Sequence, residues 1–286
     1  MKSHPTAIVS PHAKIGADVR IGAYCIIEDD VVIGNGCQIE SHAKIKSGTV
    51  LGENNFVWEN AVVGGLPQHV TAPAPFGKVI IGDNNTFRES VTIHRSLKES
   101  EATVIGNDNY LMVNAHVAHD CTVGNNCVLV NNVMLGGHVT VGNRVNLGGA
   151  TAVHQFCRIG SLVMAGGQAR IIQDVPPYMT VDGLSSRIAC LNLIGLRRSG
   201  KTTEEIKILK AVFRLIYRSG RPWREILAEL DQHYAIGPAA ELTQFLKHSK
   251  RGFVSARREA SLKFVSHDDE VSENNGETPT FRAIAG

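Results

Sequence analysis

An aliphatic residue recurs at every sixth position through most of residues 9–171. The first run is Val9, Ile15, Ile21, Ile27, Ile33, Ile39, Ile45, Leu51, Val57 and Val63. The register returns at Ile81, Phe87 and Ile93, continues from Ile105 to Ile171, and is broken only at His69, Pro75 and Glu99. A period of six fits neither a helix at about 3.6 residues per turn nor an alternating strand. It predicts a short strand followed by a corner, with three such units in a coil of about eighteen residues.

The residues around each periodic position support this coil. Gly often follows the periodic residue, and Asn or Asp often comes next, as in Gly34-Asn35 and Gly142-Asn143. Both types tolerate the positive φ of tight corners, so we expect them to make the corners. Four places after the periodic residue comes a small or β-branched residue, and five of the six cysteines fall there: Cys25, Cys37, Cys121, Cys127 and Cys157. We therefore expect these cysteines to be small core residues.

The period divides the chain into three predicted parts. Residues 1–175 form a mainly β domain, a parallel β-helix interrupted by loops at 64–80 and 94–103. Residues 176–250 form a small α-helical domain, in which Thr202 and Glu205 make a capping box before the apolar face Ile206, Leu209, Phe213 and Ile216. Residues 251–286 are a C-terminal extension with five acids and no Lys or Arg from His267 to Thr280, predicted to be partly disordered.

Charge and hydropathy exclude two classes of partner. The net charge is only +2 and the basic residues form no long block, which argues against nucleic acid. No apolar run is long enough for a signal peptide or a membrane span, so we expect a cytoplasmic protein without membrane insertion.

Histidines crowd one part of the repeat. Alternation about inward-facing Val117 turns His116 and His119 outward, and His138 and His154 follow 19 and 16 residues later. Because a coil takes about eighteen residues, we expect His119, His138 and His154 to rise along one edge. A neutral imidazole accepts a proton near neutral pH, and a carboxylate orients it. His119 beside Asp120 is the best candidate, although neighbours on a strand point to opposite faces.

A metal site is an open alternative. Three histidines hold zinc in some trimeric hexapeptide proteins similar to γ-class carbonic anhydrases, and His116, His119 and His138 are available for that role. The other motifs favour a site without metal or cofactor.

Several long motifs occur in the order typical of one enzyme family. They are Glu89 to Arg95, Asn114 to Asn125, Thr151 to Cys157, Gln173 to Tyr178 and Leu215 to Gly220. Over roughly residues 4–250 the chain resembles the UDP-N-acetylglucosamine O-acyltransferases, which begin lipid A biosynthesis. The left-handed sense of the coil is taken from this resemblance, since the period does not fix it.

The resemblance implies a mechanism and its residues. A homotrimer would transfer a 3-hydroxyacyl group from acyl carrier protein to the sugar 3-hydroxyl by direct attack on the thioester. His119 would be the general base, supported by Asp120, and the backbone N–H of Gly137 would stabilise the oxyanion. The resemblance also implies substrate-binding residues, which are His94, His116, His138, His154, Gln155, Gly167, Asn192 and Arg198. His69 is added to them because it stands in the first loop, where this chain departs from the family pattern.

Departures from the family pattern fall around the nucleotide sugar. Thr71 stands where a lysine is typical, Ile194 where an acid is typical, and Ser199 where a second basic residue is typical. The same chemistry on a modified nucleotide sugar is therefore an alternative. Basic residues in the helical region are candidates to meet the acidic carrier protein or simply to form a solvated surface: Arg197, Arg198, Lys201, Arg214, Arg218 and Arg221.

Overall fold

The computed structural model describes residues 1–72 and 74–257. Its first strands are β1 (Lys2–Ser3), β2 (Ile8–Val9), β3 (Lys14–Ile15), β4 (Arg20–Ile21), β5 (Ile26–Ile27), β6 (Val32–Ile33), β7 (Gln38–Ile39), β8 (Lys44–Ile45) and β9 (Thr49–Leu51). Then come β10 (Phe56–Val57), β11 (Val62–Gly65), β12 (Lys78–Ile81), β13 (Thr86–Phe87), β14 (Thr92–His94), β15 (Ala102–Ile105), β16 (Tyr110–Leu111), β17 (His116–Val117), β18 (Thr122–Val123) and β19 (Val128–Leu129). The series ends with β20 (Met134–Leu135), β21 (Thr140–Val141), β22 (Asn146–Leu147), β23 (Ala152–Val153), β24 (Arg158–Ile159), β25 (Met164–Ala165), β26 (Arg170–Ile171), β27 (Met179–Val181) and β28 (Ile188–Leu191).

The strands from β1 to β27 form three parallel sheets around one axis. The first sheet begins β1-β4-β7 and ends at β28, the second runs from β2 to β26, and the third contains every third strand from β3 to β24. Each strand pairs with the strand one coil away, as Val128 does with Asn146 at a spacing of eighteen residues. The two predicted loops lengthen that spacing in turn: Val62 pairs with Thr92 across the first loop, and Thr92 pairs with His116 across the second. The predicted left-handed parallel β-helix with C-terminal helices is confirmed.

The interior of the coil holds the periodic aliphatic residues. Ile33, Ile39 and Leu129 are each at most 1% exposed, and the same five cysteines are fully buried. Burial raises the pKa of the Cys121 thiol to about 12, against weaker lowering by backbone hydrogen bonds. These cysteines are therefore core residues, as predicted, and not nucleophiles.

The corners differ from the prediction in one respect. Positive φ falls three places after the periodic residue, as at Asn54, Asn126 and Asn132, rather than at the Gly and Asn that follow it directly. Gly34 is required for a different reason, because a Cβ there would lie 2.5 Å from the carbonyl oxygen of Gly52 on the next coil. Asn35, one place later, accepts the backbone N–H of Ala17 at 2.8 Å. The Gly-Asn pairs are therefore explained by close approach and hydrogen bonding between coils, and not by a need for positive φ.

Four helices follow the strands: α1 (Leu193–Arg198), α2 (Thr203–Arg218), α3 (Trp223–His233) and α4 (Gly237–Lys247). The predicted capping box at Thr202 and Glu205 is present, but the buried face of α2 is completed by Val212 and Leu215 rather than by half-buried Phe213 and Ile216. In residues 1–72 and 74–257, no helix combines the length and the apolar character needed to cross a membrane.

Strands continue past residue 175 before the helices begin. β27 pairs parallel with β25, and β28 turns back antiparallel to β27, so residues 176–191 add to the first sheet. The division into 1–175, 176–250 and 251–286 stays a prediction. Of the extension, residues 251–257 return to the coil, where Phe253 bridges Asp174 and Ala256 bridges Ile188. The predicted disorder from about His267 lies outside the described residues.

Candidate active site

His119 and Asp120 form a hydrogen-bonded pair where the second sheet turns into the third. Nδ1 of His119 lies 2.7 Å from Oδ2 of Asp120, and the two side chains are only 9% and 5% exposed. An ionised carboxylate only accepts hydrogen bonds, so Nδ1 carries the proton and donates it. The other ring nitrogen, Nε2, then keeps its lone pair in the neutral ring and is able to accept a proton.

The backbone explains how two neighbours in sequence face each other. Asp120 has φ of 61°, in the left-handed region that turns the chain at most corners. The alternation of a strand no longer applies there, and the carboxylate comes round to the imidazole. Asp or Asn tolerates this conformation better than most residues.

The second loop holds Asp120 in place. Ser96, which is fully buried, donates its hydroxyl to Oδ1 of Asp120, and the backbone N–H of Leu97 donates to the same atom at 3.2 Å. The backbone N–H of Asp120 donates to Oγ1 of Thr103 at 2.8 Å. Burial alone raises the pKa of the Asp120 carboxyl, but the Ser96 and His119 hydrogen bonds and nearby His138 outweigh it and hold the pKa below its ordinary value. Asp120 is therefore a carboxylate near neutral pH.

His138 lies one coil above Asp120. Its Nε2 is 3.6 Å from Oδ2 of Asp120, and its ring meets the His119 ring edge-on at 5.2 Å. Burial lowers the pKa of His138, while Asp120 partly offsets this. The ring above it is Phe156, stacked at 4.5 Å, and not His154. His154 lies at the same edge between the second and third sheets, as predicted, but it does not stack on His138, because a full coil from His138 ends at residue 156.

Gly137 stands directly above the imidazole of His119. A Cβ at Gly137 would lie 2.5 Å from Cε1 and 2.7 Å from Nε2 of His119. Glycine is therefore the residue that fits here. Within the described chain, 1–72 and 74–257, no backbone or side-chain acceptor receives the N–H of Gly137.

Two further histidines pack below this pair. The rings of His94 and His116 are 5.2 Å apart, Nδ1 of His94 donates to the Leu66 carbonyl at 2.6 Å, and Thr92 bonds Nδ1 of His116 at 2.8 Å. Burial, with a smaller effect of His94, lowers the pKa of His116 to about 4. His69, in the first loop, brings its ring to 5.8 Å from that of His119. His69 and His94, from the two loops, thus lie in one neighbourhood with His116 and His119 of the coil.

A groove runs along the second sheet beside these histidines. It has a volume of about 520 Å³ and is lined by Gln68, His116 and His154 together with apolar Met134 and Ile172. His154 is exposed there, with Nδ1 3.3 Å from the guanidinium of Arg251. The groove thus combines polar groups near His119 with an apolar surface along the coil axis.

Three predicted residues lie away from the His119 corner. Gly167 is exposed where the first sheet turns into the second. Asn192 caps α1, accepting the Gly195 N–H and donating to the Leu162 carbonyl, each at 2.9 Å. Arg198 is exposed at the end of α1. One chain therefore does not gather them with His119. Gln155, by contrast, occupies the same corner position as His119 and Gly137, two coils and one coil away respectively.

The residues that could hold a metal ion differ from the predicted set of His116, His119 and His138. His116 packs against His94 instead. Among the described residues, His119, Asp120 and His138 bring their donor atoms within 4.8 Å of one another. The His119–Asp120 hydrogen bond already accounts for the closeness of two of them.

Sequence reasoning missed Ser96, Thr103 and Phe156. Ser96 and Thr103 flank the second loop, whose path no period describes. The stacking of Phe156 on His138 could have been predicted, because residue 156 follows residue 138 by one full coil of eighteen residues.

Comparisons with known proteins agree with this architecture. Residues 174–254 match the family model described as UDP-N-acetylglucosamine O-acyltransferase, domain 2, and residues 12–47, 30–65 and 102–137 match that of the bacterial transferase hexapeptide (six repeats). The LpxA structure from Acinetobacter baumannii is 38% identical with a TM-score of 0.85, covering 88% of this chain and 99% of its own.

Two other solved structures are similar. The UDP-N-acetylglucosamine O-acyltransferase of Moraxella catarrhalis is 39% identical with a TM-score of 0.85, covering 89% of this chain and 100% of its own. The UDP-N-acetylglucosamine acyltransferase of Francisella novicida is 33% identical with a TM-score of 0.87, covering 94% and 100%. Identity at this level over nearly the whole of each relative shows that this chain belongs to the UDP-N-acetylglucosamine O-acyltransferase family.

Proposed function

We propose that this protein transfers a 3-hydroxyacyl group from acyl carrier protein to the 3-hydroxyl of UDP-N-acetylglucosamine, with His119 as the general base. The observation that carries the proposal is the His119–Asp120 hydrogen bond of 2.7 Å beneath Gly137. It leaves a lone pair on Nε2 and an uncapped N–H, and acyl transfer needs one base and one oxyanion donor.

The reaction needs no covalent intermediate on the protein. Nε2 of His119 takes the proton of the sugar hydroxyl as its oxygen attacks the thioester carbonyl, and the Gly137 N–H stabilises the resulting oxyanion. Collapse of the tetrahedral intermediate breaks the C–S bond, and the departing thiolate of the carrier takes the proton back from His119. Asp120 stays ionised throughout and orients the imidazole, in keeping with its lowered pKa.

The positions carried over from the family favour a site shared between chains. His119, Gly137 and Gln155 lie where the second sheet meets the third, whereas Gly167 lies at a different edge and Asn192 at the end of the coil. Neighbouring coils in a homotrimer would bring such edges together. The apolar side of the groove, with Met134 and Ile172, suits the acyl chain, and its polar side suits the sugar. Both substrates belong to cytoplasmic biosynthesis, which makes the cytoplasm the proposed location.

A modified nucleotide sugar is the second candidate acceptor. It is favoured by Thr71, Ile194 and Ser199 at positions where the family has charged residues, and by His69 beside His119. Thermal-shift measurements against a panel of nucleotide sugars separate the two, because only a ligand of the native state stabilises it. A preference for unmodified UDP-N-acetylglucosamine over every analogue would reject this candidate.

The main test uses purified acyl carrier protein loaded with a 3-hydroxyacyl group. We expect the wild-type protein to form the acylated sugar nucleotide, and His119→Gln to lower kcat by about 10²–10⁴, the usual effect of losing a general base. An unchanged kcat in the variant removes His119 from the role. Elemental analysis of the active protein covers the zinc alternative, since stoichiometric zinc dependent on His138 would replace the metal-free mechanism.

A further inference from the structure

A second groove lies between β28 and α2, far along the chain from His119. Its volume is about 650 Å³. Leu191, Leu193 and Phe213 give it an apolar floor, while three basic residues of α2 form its rim: Lys210, Arg214 and Arg218. Their spacing of four places puts all three on one side of the helix. The groove therefore offers an apolar surface bordered by positive charge.

The three rim cations are not neutralised by the described part of the chain. Within residues 1–72 and 74–257, none of Lys210, Arg214 and Arg218 forms an ion pair, and no acidic side chain lines the groove. Other cations of the helical region are paired, as Arg221 is with Glu225 and Glu229. Three unpaired cations beside an apolar floor are suited to a ligand that is both apolar and acidic.

The chain itself leads toward this groove. The N–H of Ile188 donates to the Ser255 carbonyl at 3.0 Å, and the N–H of Arg257 donates to the Ile188 carbonyl at 2.8 Å. The bridge between Ala256 and Ile188 is parallel, so the chain at Arg257 heads in the direction of β28 toward Leu191. Arg218 also donates to the Arg257 carbonyl at 3.3 Å. Arg257, the last residue that the structure describes, therefore lies beside the Arg218 end of the groove.

The sequence after Arg258, with Lys263 as its one Lys or Arg before Arg282, combines apolar and acidic residues that match the groove. Leu262, Phe264 and Val265 are apolar, and five acids follow without an intervening Lys or Arg: Asp268, Asp269, Glu270, Glu273 and Glu277. The domain 2 match ends at residue 254, and the A. baumannii and M. catarrhalis structures, matched almost completely, cover 88% and 89% of this chain. The extension is therefore largely an addition to what these two relatives share with the chain.

We propose that the groove is the docking site of this chain's own C-terminal extension. Leu262, Phe264 and Val265 lie on the apolar floor, and the acids from Asp268 onward meet the cations of α2. The tether makes the docking intramolecular, so weak individual ion pairs act at high effective concentration. The docked extension covers a basic surface that would otherwise be open to acidic proteins.

Cys190 provides a built-in reporter of the docked state. It is exposed and lines the groove, whereas the other five cysteines are buried. In the full-length protein, the alkylation rate of Cys190 by uncharged iodoacetamide is measured by mass spectrometry. Neutralising the extension with D268N/D269N/E270Q is expected to raise that rate by about three- to tenfold, the combined effect of several exposed ion pairs. Raising the salt concentration should act in the same direction.

The matched control carries the same charge change elsewhere. Asp18, Asp30 and Asp108 are exposed and have positive φ, a conformation that asparagine adopts at other corners of this coil. The variant D18N/D30N/D108N should leave the Cys190 rate unchanged. On the groove side, K210E/R214E should raise the rate, and combining it with D268K/D269K should restore protection.

A zero-length carbodiimide cross-link identifies the occupant. Docking predicts an amide between Lys210 and Asp268, Asp269 or Glu270 within one chain, detected in a mixture of isotopically heavy and light protein. Cross-links joining heavy to light chains would overturn the intramolecular assignment. The proposal also fails if the acid-neutralised variant and the wild type are alkylated at equal rates, or if only added acyl carrier protein protects Cys190.

Discussion

Two edges of the coil use the same corner position in opposite ways. One lies where the third sheet turns into the first, and the other lies where the second sheet turns into the third. At the former, the position two places after the periodic residue holds Asn107, Asn125 and Asn143, and each Oδ1 accepts a backbone N–H of the coil before it. Asn125 accepts the N–H of Asn107 at 2.7 Å, and Asn143 accepts that of Asn125 at 2.8 Å. At the latter, the same position holds His119, Gly137 and Gln155.

The contrast between the two edges shows how a repeat can leave space for reactive groups. An amide in that position satisfies the N–H of the neighbouring coil and closes the edge. Gly137 has no side chain, so the His119 ring occupies the space that a Cβ would fill. We call the first the asparagine edge and the second the histidine edge. One is closed by its own side chains, and the other keeps an imidazole and a backbone donor open.

After His119→Gln, the largest effect is expected at the histidine edge from Gly137→Ala. The added methyl would lie 2.5 Å from Cε1 of His119, so the ring and the Gly137 N–H have to move apart. We expect kcat to fall by about 10²–10³, as when an oxyanion donor is lost. Steady-state kinetics with acyl carrier protein measure it. Circular dichroism should show an intact coil, and a fully active variant would refute the close packing as a requirement.

A smaller loss is expected from Ser96→Ala, which removes one hydrogen bond from Asp120. Hydrogen bonds to charged groups contribute about 1.5–3 kcal/mol, so kcat/KM should fall roughly tenfold or more. Because Ser96 helps to lower the pKa of Asp120, the carboxylate's contribution to stability is full above its unfolded pKa of about 3.9 and is lost as pH falls through the folded value.

Thermal unfolding from pH 7 to pH 3 checks that sign. The melting temperature of wild type should exceed that of Ser96→Ala most above about pH 4, and the two should converge at lower pH. Ser96→Thr, which keeps the hydroxyl, is the control. A gap that grows on acidification would contradict the role assigned to Ser96.

The asparagine edge should respond in stability alone. Asn125→Ala leaves the Asn107 N–H without its acceptor, at a cost of about 1 kcal/mol in the free energy of unfolding. Denaturant titration measures the loss, and kcat should stay at the wild-type value. A large fall in kcat with unchanged stability would break the contrast between the two edges.

The smallest effect is an absence of titration at His116. Its pKa is lowered to about 4 by burial and by His94, so its ring stays neutral from pH 7.5 to pH 5.5. An unfolded histidine takes up a proton near pH 6.5, so this site opposes folding progressively below that pH. Ring chemical shifts, assigned with His116→Asn, should not move across this range. A midpoint near 6.5 would show that the ring is solvated.

Much of the fold follows from particular residues in the sequence. The period from Val9 to Ile171 predicts the coil and its core, and Thr202 with Glu205 predicts the start of α2. The resemblance in motif predicted the family. The sequence pattern does not predict which way side chains point at corners. The pairing of His119 with Asp120, for example, depends on the positive φ of Asp120.

Loops account for the other part of the site. His69 and Ser96 reach the histidine edge from segments that lack the six-residue period, so their positions depend on tertiary contacts. His154 shares the histidine edge but does not stack on His138, since sixteen residues is two short of a full coil.

The central claim is that His119, in its neutral form, holds its proton on Nδ1 and presents a bare Nε2. Nitrogen NMR of histidine-labelled protein at neutral pH reads this tautomer directly, with His119→Gln assigning the signals. We expect a protonated Nδ1 bonded to Asp120 and an unprotonated Nε2, and we expect Asp120→Asn to disturb both. A ring protonated only on Nε2 in the wild type would contradict this claim.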